Sequence, residues 1–301
     1  MSQKNTITLV IASDNHYAVH IAALLKSIDL NHTSGEHIDL YIIDDGISPT
    51  SRKKIERIVE PGRVTIKWVL SKDVIPADIV LPLEKSRFPL TAYLRLFAPY
   101  IIDKSLDKLL YLDVDIIVQD DISKLWNMPL GDSIIGAVQD SCKTVDSPWS
   151  GISNYRDFGL APDTKYFNSG VLLINPKKWR DENISIEILS VLNANVEHIK
   201  MADQYGFNVV FANKWLELDP NWNWFAFAEN PKPSLVHFID IKPIYQSYKS
   251  LEVYRNEFYR YLSLTPWKSF KPISHNRRNM RIIYNRISKA FKKLKFPFGN
   301  K

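Results

Sequence analysis

Cysteine is nearly missing from this 301-residue chain: Cys142 stands alone, so no intramolecular disulfide can form and a reducing compartment is the expected home. Acidic residues stop at Glu257; residues 258–301 hold 12 Lys and Arg and neither Asp nor Glu. The first 257 residues carry 27 basic against 33 acidic side chains, so the net charge of +6 joins a mildly acidic body to a strongly basic tail. No apolar run reaches bilayer-spanning length, and the opening MSQKNTITLVIAS is too short in hydrophobic residues for a secretory signal. The sequons at Asn31 and Asn183 are therefore expected to stay unmodified. Neither GxGxxG nor GxxxxGK occurs, which removes the dinucleotide fingerprint and the P-loop. The 45% apolar and 24% charged residues are ordinary for a soluble globular protein, and the length suits one large domain with an appendage.

Within that frame, apolar β-branched runs alternate with helical patterns. Strands are expected at Ile7–Ala12, Ile38–Ile43, Val64–Leu70, Lys108–Val118, Ile134–Val138 and Val171–Ile174. Helices are expected at Ala18–Asp29, at Pro49–Val59 behind Ser48, at Thr91–Tyr100 and at Ile184–Ile199. The stretch Trp215–Pro233, rich in Trp, Asn and Pro, reads as loops, and from about Tyr254 the pattern turns to aromatic and basic helices. The alternation argues for an α/β sheet with parallel members, covered on both faces, whose ligands sit at the carboxyl ends of the strands.

Polar residues cluster at those ends. Strand one runs into Ala12-Ser13-Asp14-Asn15-His16-Tyr17, where Asp14 and Tyr17 suit a nucleotide base and equally suit a helix cap with a packed ring. In Tyr111-Leu112-Asp113-Val114-Asp115-Ile116, an extended chain would send both carboxylates to one side and Val114 to the other. Paired carboxylates in an apolar run are costly without positive charge, and a divalent cation is the economical partner; two solvated side chains at a strand end are the plainer reading. Tyr166-Phe167-Asn168-Ser169-Gly170 precedes an apolar run, so Asn168 can meet sugar hydroxyls or simply serve a turn at Gly170. Asp203 and Gln204 follow Ala202, with Asp203 also a candidate N-cap. His237 lies inside the apolar Leu235–Phe238, as a ligand or as a satisfied core histidine.

In order and spacing, ASDNHY, TAYLRL, YLDVD, YFNSGVLLIN, ADQ and VHF resemble glycosyltransferase family 8 over about residues 6–250. That family holds the retaining, nucleotide-sugar-dependent lipopolysaccharide galactosyl- and glucosyltransferases of bacteria. The resemblance implies an α/β fold with a single GT-A (Rossmann-like) nucleotide-sugar domain, residues 1–253, and a mostly helical basic appendage, residues 254–301. It also implies Asp113, Asp115 and His237 as ligands for Mn²⁺, with Mg²⁺ as the alternative ion. Ala12, Asp14 and Tyr17 match the uridine site, Arg95 a donor sugar or phosphate contact, and Val114 the donor site between the metal ligands. Asn168, Asp203 and Gln204 match residues around the transferred hexose, with Asp203 and Gln204 catalytic, and Asp140 matches a sugar or acceptor contact. Lys242 matches a diphosphate contact, but the family's glycine three residues after the histidine is Asp240 here and its tryptophan is Ile244.

The expected activity is transfer of galactose or glucose from a UDP-sugar, with retention, to a hydroxyl of a saccharide, glycolipid or glycoprotein. Two rivals are a sugar-1-phosphate nucleotidyltransferase, which should carry a glycine-rich basic loop after strand one, and a nucleic-acid-binding protein acting through the tail. The first lacks its loop and the second leaves YLDVD and FNSG unexplained, so no nucleic-acid partner is expected. In the tail, Ile283, Ile287, Phe291 and Leu294 recur at helical spacing among Arg and Lys, the pattern of a helix lying on an anionic membrane. Residues 272–301 are thus expected to hold a cytoplasmic enzyme at the inner face of the cell membrane. Every candidate site residue lies before Pro243, so the tail is expected to be separable from the site.

Overall fold

Seven consecutive buried residues make Ile7–Ser13 (β1), the run required of a strand covered on both faces. A 3-10 turn at Asn15–Tyr17 leads into α1 (Ala18–Asn31), which is apolar almost all round and buried accordingly. β2 (Ile38–Asp44) follows, then α2 (Pro49–Glu56), which starts where Ser48 Oγ accepts from the Ser51 N–H at 3.1 Å. β3 (Val64–Leu70) is only half-buried because it forms the edge of the sheet, and α3 (Ser71–Val74) ends this half. The computed structural model describes residues 6–77, 79–82 and 88–295, with the side chains of Leu90, Asn285, Arg286 and residues 288–295 outside that description.

The expected helix at Thr91–Tyr100 is instead a 3-10 turn, Leu90–Phe97, joined to a short α4 (Ala98–Ile101) with Pro99 in its first turn. The single strand expected at Lys108–Val118 is broken: β4 (Leu109–Leu112) belongs to the large sheet and β5 (Ile116–Val118) to a small one. The break has a cause in hydrogen bonding. The Asp113 N–H bonds to Gly170 O at 2.8 Å, whereas Asp115 O accepts from the Phe238 N–H at 2.9 Å. The bend at Asp113–Asp115 therefore hands the chain from one sheet to the other.

After α5 (Ile122–Trp126) come β6 (Ile135–Thr144), β7 (Lys165–Ile174), α6 (Pro176–Asp181) and α7 (Ile184–Ala194). The helix expected to reach Ile199 stops at Asn195, and a separate 3-10 turn covers Val196–His198. The FNSG segment lies within β7 and makes no turn; a register shift opposite Ala137 and Val138 bulges the strand there. α8 (Asp203–Val210), β8 (Leu216–Glu217), β9 (Trp224–Phe225) and β10 (Leu235–His237) complete the body, so the expected loop region holds two short strands. The large sheet runs β3-β2-β1-β4-β7-β6-β8, parallel from β3 to β4, with β7 antiparallel to both neighbours; the small sheet runs β5-β10-β9.

Two apolar clusters cover the large sheet, one beneath α1 and the small sheet, the other beneath α4, α7 and α8. The appendage does not begin as a loose tail. α9 (Glu252–Ser263) lies along α1 and puts Tyr254, Phe258, Tyr261 and Leu262 into the first cluster, Phe258 fully buried with its ring 5.2 Å from His20 and 5.8 Å from Phe238. Past α9, the chain returns to the body through an isolated bridge between Tyr245 and Ile273 and continues as α10 (His275–Lys295). Phe258→Ala is expected to lower the unfolding free energy by about 3–5 kcal/mol. Urea unfolding would show this as an earlier transition of the whole protein, and a loss confined to the last 48 residues would contradict it.

Candidate active site

The carboxyl ends of β1, β4 and β10 and the Asn168–Gly170 stretch of the antiparallel β7 open into one cleft of about 260 Å³. Of the residues singled out by sequence, Ala12, Asp14, Tyr17, Arg95, Asp113, Val114, Asp115, Asn168, Asp203, Gln204, His237 and Lys242 all line it. Asp140 does not; it lies behind the wall, where its Oδ2 accepts from Asn168 Nδ2 at 2.9 Å and from Gln204 Nε2 at 3.2 Å. Its observed part is to orient those two amides rather than to face the cleft.

Asp113, Asp115 and His237 each offer one ligand atom, and these atoms lie within 4.8 Å of one another. The flat strand that would aim both carboxylates alike is absent; the bend between the two sheets brings them to His237 on β10. His237 Nδ1 lies 2.9 Å from Asn223 Oδ1, an acceptor, so the ring proton sits on Nδ1. Nε2 then keeps its lone pair, 3.3 Å from Asp115 Oδ1 and 3.9 Å from Asp113 Oδ2. Two carboxylate oxygens and one imidazole nitrogen suit a divalent ion that takes oxygen and nitrogen donors, so these residues fit the expected metal.

Gly170 is required beside them. A Cβ there would sit 2.3 Å from His237 Cε1 and 2.9 Å from Asp113 Oδ2, closer than any side chain tolerates. His237 is tied further back: Asn223 Nδ2 donates to Asn168 Oδ1 at 3.0 Å, and Asn168 in turn reaches Asp140. The chain Asp140–Asn168–Asn223–His237 is buried throughout. Asn223 went unnoticed in the sequence, where it is one of several asparagines in a tryptophan-rich stretch.

Charge in the cleft is offset only in part. Arg95 is 3.1 Å from Asp113 Oδ1 through Nη1 and 2.8 Å from Asp203 Oδ2 through Nε, with its guanidinium 5.0 Å from the centre of the Tyr111 ring. Burial opposes its charge, but Asp113 and Asp203 hold it firmly protonated. Burial pushes the Asp203 carboxyl up to about 7, with Arg95 drawing it down and Asp113 adding to the rise. Asp203 is the first residue of α8 and not its cap; the cap position is Ala202, at φ 47° and ψ −131°, a backbone state costly for a residue with a Cβ. That turn aims Asp203 and Gln204 inward. Gln204 Oε1 accepts from the Ser169 N–H at 3.1 Å, which fixes the amide's direction.

Lys242 reaches Asp115 Oδ2 at 2.5 Å and Phe238 O at 2.5 Å, so here it serves the carboxylate. Although burial works against the charge on Asp115, Lys242 and His237 hold its carboxyl well below the usual range. Asp240 is exposed on the rim and stands outside the three-residue cluster. Asp14 does cap the turn after β1, its Oδ1 accepting from the His16 and Tyr17 N–H groups at 2.9 and 3.2 Å. Its Oδ2 meets Arg281, and with Arg278 and Ile282 this residue lines the cleft from α10. The tail expected to be separable from the site thus forms part of the cleft's wall: the basic run hid a helix that packs one face on the body.

The model of the family described as Glycosyl transferase family 8 matches residues 8–244. The chain belongs to glycosyltransferase family 8. General stress protein A of Bacillus subtilis (strain 168) is 26% identical over 293 residues, covering 89% of this chain and 97% of that protein. Lipopolysaccharide 1,2-glucosyltransferase of Escherichia coli (strain K12) is 28% identical, covering 84% and 70%. Two longer curated relatives are matched over only 55% and 58% of their length. Among solved structures, galactosyltransferase LgtC in complex with donor and acceptor sugar analogues superposes with a TM-score of 0.69 at 24% identity, covering 91% of this chain and 99% of that one. That likeness shows the GT-A fold. With Asn223→Ala the His237 tautomer loses its anchor, and affinity for a divalent ion such as Mn²⁺ is expected to fall about 10–100-fold by calorimetric titration, beside a stability loss of about 1–3 kcal/mol from the buried imidazole N–H left unpaired; unaltered metal affinity would remove Asn223 from the site.

Proposed function

We propose that this glycosyltransferase moves galactose or glucose from a UDP-sugar to a hydroxyl of a saccharide, glycolipid or glycoprotein, with retention of anomeric configuration and with Mn²⁺ or Mg²⁺ bound. The observation that carries the reading is the convergence of Asp113, Asp115 and the Nε2 lone pair of His237 at the floor of the cleft. Similarity to a lipopolysaccharide glucosyltransferase and to LgtC, whose structure holds donor and acceptor sugar analogues, supports the choice of substrates.

In this reading the ion, when bound, offsets the negative charge of the donor diphosphate and of the departing UDP. Tyr17, Ala12 and Asp14 receive the uridine, the Tyr17 ring lying beside the base. Burial raises the Tyr17 hydroxyl far above its ordinary value, so it remains a neutral donor. Lys242 exchanges Asp115 for a phosphate oxygen as the donor enters. Asn168 and Asp203 hold the hexose, and Gln204, fixed by Ser169 and Asp140, turns its amide dipole toward the anomeric carbon. Gln204 is too weak a nucleophile for a covalent intermediate, so the acceptor attacks the face the UDP leaves. Its proton passes to a phosphate oxygen of the UDP.

EDTA should abolish UDP release and Mn²⁺ restore it, and Asp113→Asn, Asp115→Asn and His237→Ala should each remove most activity while the proteins stay folded. Gln204→Ala should lower kcat more than it raises KM. NMR of the product should show the donor's anomeric configuration; an inverted product, or full activity in EDTA, would reject the reading.

The outer face of α10 fits the expected membrane role. Met280, Ile283, Tyr284 and Ile287 are 49–63% exposed, on the side away from the cleft, while Phe291 and Leu294 belong to the side chains outside the description. No helix among the described residues is long and apolar enough to cross a membrane. An anionic inner-membrane surface is the partner proposed for this face, each nearby Lys or Arg contributing about 1 kcal/mol. Ile283→Ser with Ile287→Ser should cut sedimentation with phosphatidylserine vesicles several-fold and leave UDP affinity unchanged. Sedimentation equal to wild type would exclude this face as the docking surface.

A further inference from the structure

One wall of the cleft belongs to the appendage. α10 brings Arg278, Arg281 and Ile282 to the same cavity as the metal-site carboxylates, at the end where β1 runs out. Arg281 pairs with Asp14 Oδ2, whose other oxygen is held by two backbone N–H groups, so the guanidinium is placed by a rigid anchor. It gives one N–H to that pair, and with 32% of its side chain accessible it retains donors for a ligand. The Arg278 guanidinium sits 5.7 Å from the centre of the Tyr245 ring, and the Tyr245 hydroxyl lies 2.7 Å from His16 Nε2. Both arginines are thus oriented by residues that themselves line the cleft.

We propose that Arg278 and Arg281 are donor-binding residues, cations that the C-terminal helix supplies to hold the anionic part of a nucleoside-diphosphate sugar; this rests on the nucleotide-sugar reading above. Charge decides it. The body alone lines the cleft with Asp14, Asp113, Asp115, Asp203 and Asp240 against Arg95 and Lys242, a surplus of three negative charges with every carboxylate ionised and of more than two with Asp203 near 7. Arg95 is engaged by Asp113 and Asp203, and Lys242 by Asp115. A divalent ion offsets two of the three, and a nucleoside diphosphate would still enter a site of its own sign. The two arginines of α10 bring the balance to one positive charge, and the cleft then attracts its ligand.

The test titrates wild type, Arg278→Ala, Arg281→Ala and the double variant with UDP in the presence of Mn²⁺ at low salt, using uridine as the phosphate-free probe. Each single substitution should weaken UDP about fivefold and the pair about twentyfold, with uridine affinity held within about twofold. Arg281→Lys should recover most of the loss, and the double variant should show a shallower salt dependence than wild type. Unchanged UDP affinity with a lowered melting temperature would overturn the inference and leave the arginines as structural latches. Tighter UDP binding, or equal losses for UDP and uridine, would overturn it as well. A wild type that binds GDP or CDP in place of UDP would defeat the uridine reading alone, and the arginine effect would be read on that nucleotide. Binding of no nucleotide diphosphate would defeat both.

Discussion

Asp113 and Asp115 stand at the bend where the chain passes directly from β4 of the large sheet to β5 of the small one, so their charges cannot be moved away from the middle of the fold. The neighbourhood answers that burden piece by piece. Arg95, from the 3-10 turn before α4, takes Asp113 together with Asp203; Lys242, from the loop after β10, takes Asp115. The Tyr111 hydroxyl adds a neutral donor to Asp113 at 3.1 Å. The Nε2 lone pair of His237 faces the same two carboxylates, an arrangement that ion pairing alone does not call for, and this is why the cluster reads as a metal site. Gly170 is the steric counterpart of the same constraint, since only a residue without Cβ lets β7 pass so close to the imidazole.

Fixing the imidazole needs polar groups deep in the protein, and buried polar groups must be satisfied. Asp140, Asn168 and Asn223 meet that demand among themselves, in a line from β6 across β7 to the turn before β9. The bulge in β7 opposite Val138 belongs to this arrangement, for it turns Asn168 and Ser169 toward Asp140 and Gln204 while the rest of the strand stays in register. The strained backbone at Ala202 has the same bearing: it is tolerated where it directs Asp203 and Gln204 to the cleft.

Local order and identity of residues made much of this legible in the sequence. Ile7–Ser13, Ile38–Asp44 and Val64–Leu70 announce themselves because a doubly covered or edge strand is a short apolar run whatever lies beside it. Twelve of the thirteen residues named for the site line one cleft because the motifs that carry them fall at strand ends, in the turns and helix starts beside them or, for Asn168, at the bulge of β7. The rest depends on distant partners. The break at Asp113–Asp115 is set by Gly170 and Phe238, neither of them local to it. Asp140 looked like a ligand-facing residue, and only the crossing of β6 and β7 puts it behind Asn168. Asn223 has no pattern of its own. Arg278 and Arg281 belong to the basic run expected to lie on an anionic membrane, and such a run carries no mark of which side chains turn inward.

α10 has two faces, and the opposition between them follows from helical geometry. Arg278, Arg281 and Ile282 are three and four residues apart and share the side turned to the cleft, whereas Met280, Ile283, Tyr284 and Ile287 fall on the far side and stay exposed. Its anchorage to the body is polar and local, at Asp14 and Tyr245, while α9 before it is fastened by buried aromatic packing. A helix held near its start by one ion pair and one cation–π contact is an element that binding at its outer face can shift. If that face meets an anionic surface, the energy of the encounter bears directly on the wall of the donor cleft. Reciprocity then requires that an occupied cleft, by engaging Arg278 and Arg281, bear equally on the hold at the surface.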